Sequence, residues 1–190
     1  MIEAELVRGS QKGDGEAFRD LVEPYREVLF GTAYLLTRDR GKAEDLVQDA
    51  LVRAWKGLPA FRAEGSFKAW VLRILVNEAM SKHRKKRLEE TALEHALTVP
   101  QDGGGVEDEV LLEEERLRLQ RGMATLREDQ KQVVVLRYYS DLSILEIARA
   151  LGCREGTVKS RLHRALRQLG RTLGADNQGT GQRARMGEGG

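Results

Sequence analysis

The chain has 190 residues, 33% of them charged and 5% aromatic, and a formal net charge of +2. That length holds one large domain or two small ones, and the near-balanced charge means that any nucleic-acid surface has to be a local basic patch. The single cysteine, Cys153, excludes an internal disulfide and a zinc cluster. No apolar run approaches a membrane span and the N-terminus lacks a signal-peptide pattern, so a cytoplasmic protein without membrane insertion is expected.

Three prolines and few alternating apolar stretches point to an all-α protein. Residues 1–87 form one dense block of helical patterns. Phe18, Leu21, Val22, Tyr25, Leu29 and Ala33 make a first apolar stripe, read as core. The stretch 43–56, AEDLVQDALVRAWK, is the clearest amphipathic helix. Ala43, Leu46, Val47, Ala50, Leu51, Ala54 and Trp55 follow the spacing of a buried face. Asp45, Gln48, Asp49, Val52, Arg53 and Lys56 form the opposite stripe. Any surface helix has a polar face, but a valine amid acids, an amide and bases also suits docking on another protein's helices.

The loop GLPAFRAEGS (57–66) carries an exposed-looking Phe61–Arg62 pair and leads into SFKAWVLRILVNEAMSKHRKKR (66–87). In that helix Phe67, Trp70, Val71, Ile74 and Leu75 cover one side, with Phe67 and Trp70 read as core in preference to base-stacking platforms. Arg73, Asn77, Ser81 and Arg84 line another side and end in the basic run Lys82–Arg87. A basic helix beside a loop with an aromatic suits single-stranded DNA, whose phosphates follow the bases while the loop receives an unstacked nucleotide. Residues 88–109, with VPQDGGG at 99–105, read as a flexible linker that lets the flanking blocks move.

A second helical block spans 110–173. Val133, Val134, Leu136 and Arg137 belong to a helix expected to support the stretch DLSILEIARALGCREGTVKSRLHRALRQL (141–169). Ser143 is either an N-cap with Glu146 as its capping-box partner or an ordinary loop serine. Ala148 falls where crossing helices touch, and Gly152 where the chain turns and a left-handed backbone suits glycine. Val158, Leu162, Leu166 and Leu169 form an apolar stripe, with Thr157, Ser160, Arg161, Arg164 and Gln168 opposite. That division suits a helix-turn-helix whose second helix enters the major groove; the plainer reading is a helical hairpin with a solvated basic face. Cys153, in the turn, reads as a small buried residue in preference to a redox sensor. Residues 174–190 are glycine-rich and polar and read as a disordered tail.

The run from AFRDLVEPYREVLF through KHRKKR closely resembles region 2 of the extracytoplasmic-function sigma factors of the sigma-70 family. DQKQVVVLRYYSDLSILEIARALGCREGTVKSRLHRAL resembles their region 4. The resemblance covers most of residues 14–170, and AEDLVQDALVRAW together with GTVKSRLHRA is its most specific part. It implies binding to bacterial core RNA polymerase and promoter DNA, with promoter melting, and regulation by an anti-sigma factor. By resemblance, Asp45, Leu46, Gln48, Asp49 and Arg53 dock on the polymerase clamp, joined by Val52 from the stripe. Phe61, Arg62, Ser66, Arg73, Asn77, Lys82 and Arg84 are the candidates for the −10 element. Arg154, Glu155, Thr157, Lys159, Ser160, Arg161 and Arg164 are those for the −35 element. The CREG turn and the Ile-Leu of DLSILEIA depart from the family pattern, which bears on the promoter sequence more than on the function.

The competing reading is a free-standing helix-turn-helix regulator, which leaves the helices at 43–56 and 66–87 without a purpose. An enzyme finds no support: His83, His95 and His163 are far apart, and there is no phosphate-binding glycine loop or nucleophile motif. No cofactor and no metal are expected.

Overall fold

The computed structural model describes residues 2–62, 65–90 and 118–184, and every regular element among them is helical. The glycine run at 103–105 and the apolar residues Val110, Leu111 and Leu117 lie outside the described residues.

Helix α1 (Ile2–Gln11) leads through a turn to α2 (Gly15–Val22), which Asp14 caps by accepting from the backbone N–H groups of Glu16 and Ala17 at 2.9 and 3.1 Å. The first apolar stripe is split between two helices. Pro24 sits in a single 3-10 turn, Glu23–Tyr25, and α3 (Arg26–Thr37) starts beyond it. Leu21, Val22, Leu29 and Ala33 are buried as expected, while Phe18 packs edge-on against Trp55 at 5.1 Å. Arg38 closes α3 in the left-handed conformation (φ 55°), and Asp39 opens α4 (Arg40–Gly57) by accepting from the Lys42 N–H at 3.0 Å. The buried face of α4 is Ala43, Leu46, Ala50 and Ala54. Three alanines in that row let neighbouring helix backbones approach closely. After a short turn, Leu58–Ala60, comes α5 (Phe67–Glu90).

The second block begins with a helical stretch at 118–125, followed by α6 (Glu128–Val134) and a π-turn, Val135–Tyr139, closed by the Ser140 N–H on the Val135 carbonyl at 3.0 Å. Val133, Val134 and Leu136 are buried, and the Arg137 guanidinium donates to the Leu142 carbonyl at 2.9 Å. Helix α7 (Ile144–Leu151) has the capping box read from the sequence: the Ser143 hydroxyl accepts from Glu146 N–H, and the Glu146 carboxylate from Ser143 N–H at 2.9 Å. Gly152 ends α7 in the left-handed conformation (φ 61°, ψ 37°), and α8 (Glu155–Ala184) comes next. It continues eleven residues past Leu173, into the stretch read as a tail, because a packed helix propagates at little cost once nucleated.

The two blocks pack directly on one another, and one buried cluster runs from Val7 to Leu169. Helix α3 is sandwiched, with no residue from 28 to 38 exposed. Thr32 on α3 and Ser140 after the π-turn bring their hydroxyls within 2.9 Å in the buried seam. Each hydroxyl also reaches a carbonyl of its own segment, Thr32 that of Val28 at 2.5 Å and Ser140 that of Val135 at 3.4 Å. At the rim, Arg38 donates to the Gln120 carbonyl at 2.7 Å, and the Ser66 hydroxyl to Glu146 at 3.3 Å.

Candidate polymerase and nucleic-acid interfaces

The outer face of α4 exposes Asp45, Gln48, Asp49, Val52 and Arg53, with Val52 47% exposed. Leu46 is different. At 1% exposure it belongs to the core and offers no surface to a partner, so its part is to seat α4 from beneath. Two charges of the stripe are tied to α5: Asp49 pairs with Lys82 at 2.7 Å, and Arg53 with the buried Glu78 at 2.6 Å. Glu78 is buried against Arg53, which draws the guanidinium toward α5. Asp45, Gln48 and Val52 have no such partner among the described residues and form the open part of the face.

The loop before α5 starts from a fixed point. The Gln11 side-chain amide donates to the carbonyls of Leu58 and Phe61 at 3.2 and 3.0 Å. Phe61, expected as an exposed aromatic, is half-buried. Its ring lies 4.8 Å from Trp70 and 6.0 Å from Phe67, because three aromatics so close in sequence bury more surface together than apart. Phe67 is fully buried, in line with its reading as core. Arg62 and Ser66 are exposed, and Ser66 caps α5 by accepting from the Ala69 N–H at 3.2 Å. Arg73, Asn77 and Arg84 are exposed and recur at helical spacing on one face, next to the Trp70 edge of the aromatic cluster. Lys82 lies on the flank toward α4, held by Asp49.

In the helix-turn-helix, Ile147 and Ala148 of α7 and Val158, Leu162, Ala165 and Leu169 of α8 belong to one buried cluster, and Ala150 is buried as well. Leu166, placed by spacing in the apolar stripe, is 44% exposed; Ala165 takes the inward position. The Arg154 carbonyl accepts the first helical bonds of α8, from Thr157 and Val158. Glu155, Lys159, Ser160 and Arg164 face outward, and Arg164 is braced on Ser160, its guanidinium 3.1 Å from the hydroxyl. Thr157 is half-buried. Arg161 turns toward α6, where its Nε lies 3.2 Å from the Asp129 carboxylate. Gln168 likewise turns inward and donates to the Thr125 carbonyl at 2.6 Å. The outward row is completed by Arg167, which by its distance from the helix N-terminus suits phosphates or solvent, and by His163, which sequence reasoning left out and which the i, i+4 series from Lys159 would have reached.

One carboxylate joins the two surfaces. Glu146 is partly buried, which by itself raises its pKa. Hydrogen bonds from Ser143 and Ser66 and the nearby Lys68 ammonium outweigh that and hold it below the ordinary glutamate value.

The fold and its faces define a two-block helical protein whose second block carries a helix-turn-helix. The family model for sigma-70 region 2 matches residues 21–89, and that for sigma-70 region 4 matches residues 116–169. The chain is 31% identical over 182 residues to the ECF RNA polymerase sigma factor SigW of Bacillus subtilis, covering 91% of this chain and 97% of the relative. It is 34% identical over 177 residues to SigM of Mycobacterium tuberculosis, covering 93% and 87%. Among solved structures, the sigma factor RpoE of Bartonella quintana, in complex with the anti-sigma factor NepR, is similar with a TM-score of 0.66 and 30% identity over 83% of this chain and 99% of that one. CnrH, in complex with the cytosolic domain of CnrY, shares the fold at a TM-score of 0.70 and 24% identity, over 93% and 99% of the two chains. The chain belongs to the extracytoplasmic-function sigma factors of the sigma-70 family. It is a transcription initiation factor that binds core RNA polymerase and directs it to promoters. No helix among the described residues is long and apolar enough to cross a membrane.

Proposed function

We propose that the work is divided residue by residue between two domains, 1–87 and 110–173, joined by a linker at 88–109. Core polymerase docks on the outer face of α4, through Asp45, Gln48 and Val52 with Asp49 and Arg53 at its edge. Phe61, Arg62, Ser66, Arg73, Asn77, Lys82 and Arg84 engage the −10 element. Arg154, Glu155, Thr157, Lys159, Ser160, Arg161 and Arg164 engage the −35 element, with His163 and Arg167 added to the outward row. The observation that carries the polymerase assignment is Val52, 47% exposed on a helix whose other apolar side chains are buried or half-buried. A dry centre ringed by charges is what a helix-on-helix dock requires.

The −10 assignment is supported by the single face formed by Arg73, Asn77 and Arg84 beside an aromatic cluster. Phosphates suit the bases, and an unpaired base suits the edge of Phe61 and Trp70. The protein works in the cytoplasm, where the polymerase is, and an anti-sigma factor holds it inactive. Support for the last point comes from the similar chain RpoE, whose structure contains the anti-sigma factor NepR. Mixing the purified chain with core enzyme tests the division of labour. Gln48→Ala with Arg53→Glu should abolish co-purification without loss of helix content. Asn77→Ala should leave co-purification intact and impair open-complex formation, with a pre-melted template restoring activity. Normal core binding by the α4 double variant would remove the docking assignment.

A further inference from the structure

Glu78 is the one charged residue buried among the described residues. It lies on α5 in line with Val71 and Leu75, at i, i+4 and i+7, where the helical pitch calls for an apolar side chain; both companions are fully buried. Its side chain, 9% exposed, meets the Arg53 Nε at 2.6 Å, and that arginine is 64% exposed on α4. One turn further along α5, Lys82 pairs at 2.7 Å with Asp49, one turn earlier on α4. The two pairs form a ladder of alternating sign between antiparallel helices. Folding gains little from either rung. Ion pairs open to water contribute little to stability once screened. A buried carboxylate forfeits its hydration, and an apolar residue of like volume in its place packs as well or better.

We propose that Glu78 is a positioning residue for polymerase docking: through Arg53 it fixes the charged edge of α4 before the partner arrives. The proposal rests on the assignment of α4 as the docking helix. An arginine on an exposed helix face samples many rotamers, and the freedom it loses on binding counts against affinity. Glu78 removes that freedom when the chain folds instead. Its carboxylate is buried against α4 while the arginine stays at the surface, so the anchor is out of the partner's reach and the anchored group is not. Lys82 holds Asp49 in the same way. The two charges at the edge of the open patch of Asp45, Gln48 and Val52 thus stand at set places one turn apart, about 6 Å at 1.5 Å per residue.

The test is titration of purified core enzyme with labelled full-length protein, with thermal melting of each free variant alongside. Glu78→Met fills the position with an apolar side chain of similar length. It should melt at or above the wild-type temperature and bind core enzyme about 2- to 12-fold more weakly, the cost of ordering one rotamer-rich side chain on binding. In an Arg53→Ala background the same substitution should change core affinity by less than about twofold, because the group it positions is gone. Should Glu78→Met unfold the chain, Glu78→Gln keeps the shape and removes the charge, with the loss again confined to chains that retain Arg53. Unchanged core affinity in both Glu78 variants overturns the proposal. So does a loss of equal size with and without Arg53, which would make Glu78 a support of the helix pair and no more. Val52→Asp separates this from the docking assignment. If Val52→Asp and Arg53→Ala both bind core enzyme normally, the docking face lies elsewhere and the positioning role falls with it. If Val52→Asp weakens binding and the Glu78 variants do not, the positioning role alone falls.

Discussion

Replacing Arg161 by alanine tests whether α8 reads bases with this side chain. By spacing it is a base reader; in the folded chain its Nε faces Asp129 at 3.2 Å, with the two side chains 26% and 35% exposed. Asp129 is also shared with Arg127, at 3.5 Å. A partly exposed, shared pair contributes roughly 0.2–1 kcal/mol after solvent screening. Bidentate recognition of a guanine is worth roughly 1–3 kcal/mol of discrimination. The second figure is the larger, so the pair orients the arginine without silencing it. Arg161→Ala should thus relax the preference at one −35 position by about 5- to 150-fold, which is the same 1–3 kcal/mol expressed as a ratio. Asp129→Asn should leave the preference in place and tighten binding to all sequences by at most about fivefold. The assay is selection from a randomised −35 library by holoenzyme at fixed salt, with thermal melting of each free variant alongside. If both substitutions lower the melting temperature equally and neither changes the selected bases, Arg161 is a structural partner of Asp129 and the reading face is the Lys159, Ser160, His163, Arg164 row alone.

Other substitutions separate surface from support. Val52→Asp should change stability by no more than about 0.5 kcal/mol yet weaken core binding, whereas Leu46→Ala should cost roughly 2–5 kcal/mol of folding stability; chemical denaturation and co-purification distinguish the two. Gly152→Ala meets no neighbouring atom, so its cost should be the left-handed backbone alone, about 1–2 kcal/mol by denaturation. The Glu146 carboxylate, its pKa lowered in the folded chain, stabilises the α7 cap and the contact with Ser66 while ionised. That stabilisation should be complete above the ordinary glutamate value of 4.5 and be lost as pH falls through the lower folded value, and Glu146→Gln should flatten this part of a pH-denaturation profile.

Much of the fold was legible because the signals were local. The Ser143–Glu146 box, the left-handed Gly152 and the alanine-rich face of α4 each depend on residues within one or two turns, and each is found where the spacing put it. The Phe18–Ala33 stripe kept its burial but not its continuity, because Pro24 interrupts it. What the sequence did not disclose are contacts made across the chain. Phe61 could not be seen to lean on Trp70, nor Arg161 on Asp129, nor Ser66 on Glu146, since helical spacing says which residues share a face and nothing about what that face meets. The packing of the two blocks was hidden for the same reason: Gly31 and Tyr139 are unremarkable residues until brought together.

The most direct measurement is run-off transcription by purified bacterial core enzyme on a fragment of the DNA upstream of this protein's own coding sequence, with and without the chain, alongside binding of the chain alone to the same duplex. A sigma factor should create a discrete start site that core enzyme lacks, while the free chain binds the duplex weakly and without preference. Tight, sequence-specific duplex binding by the chain alone, with start sites unchanged when it is added to core enzyme, would contradict this and identify a free-standing DNA-binding regulator.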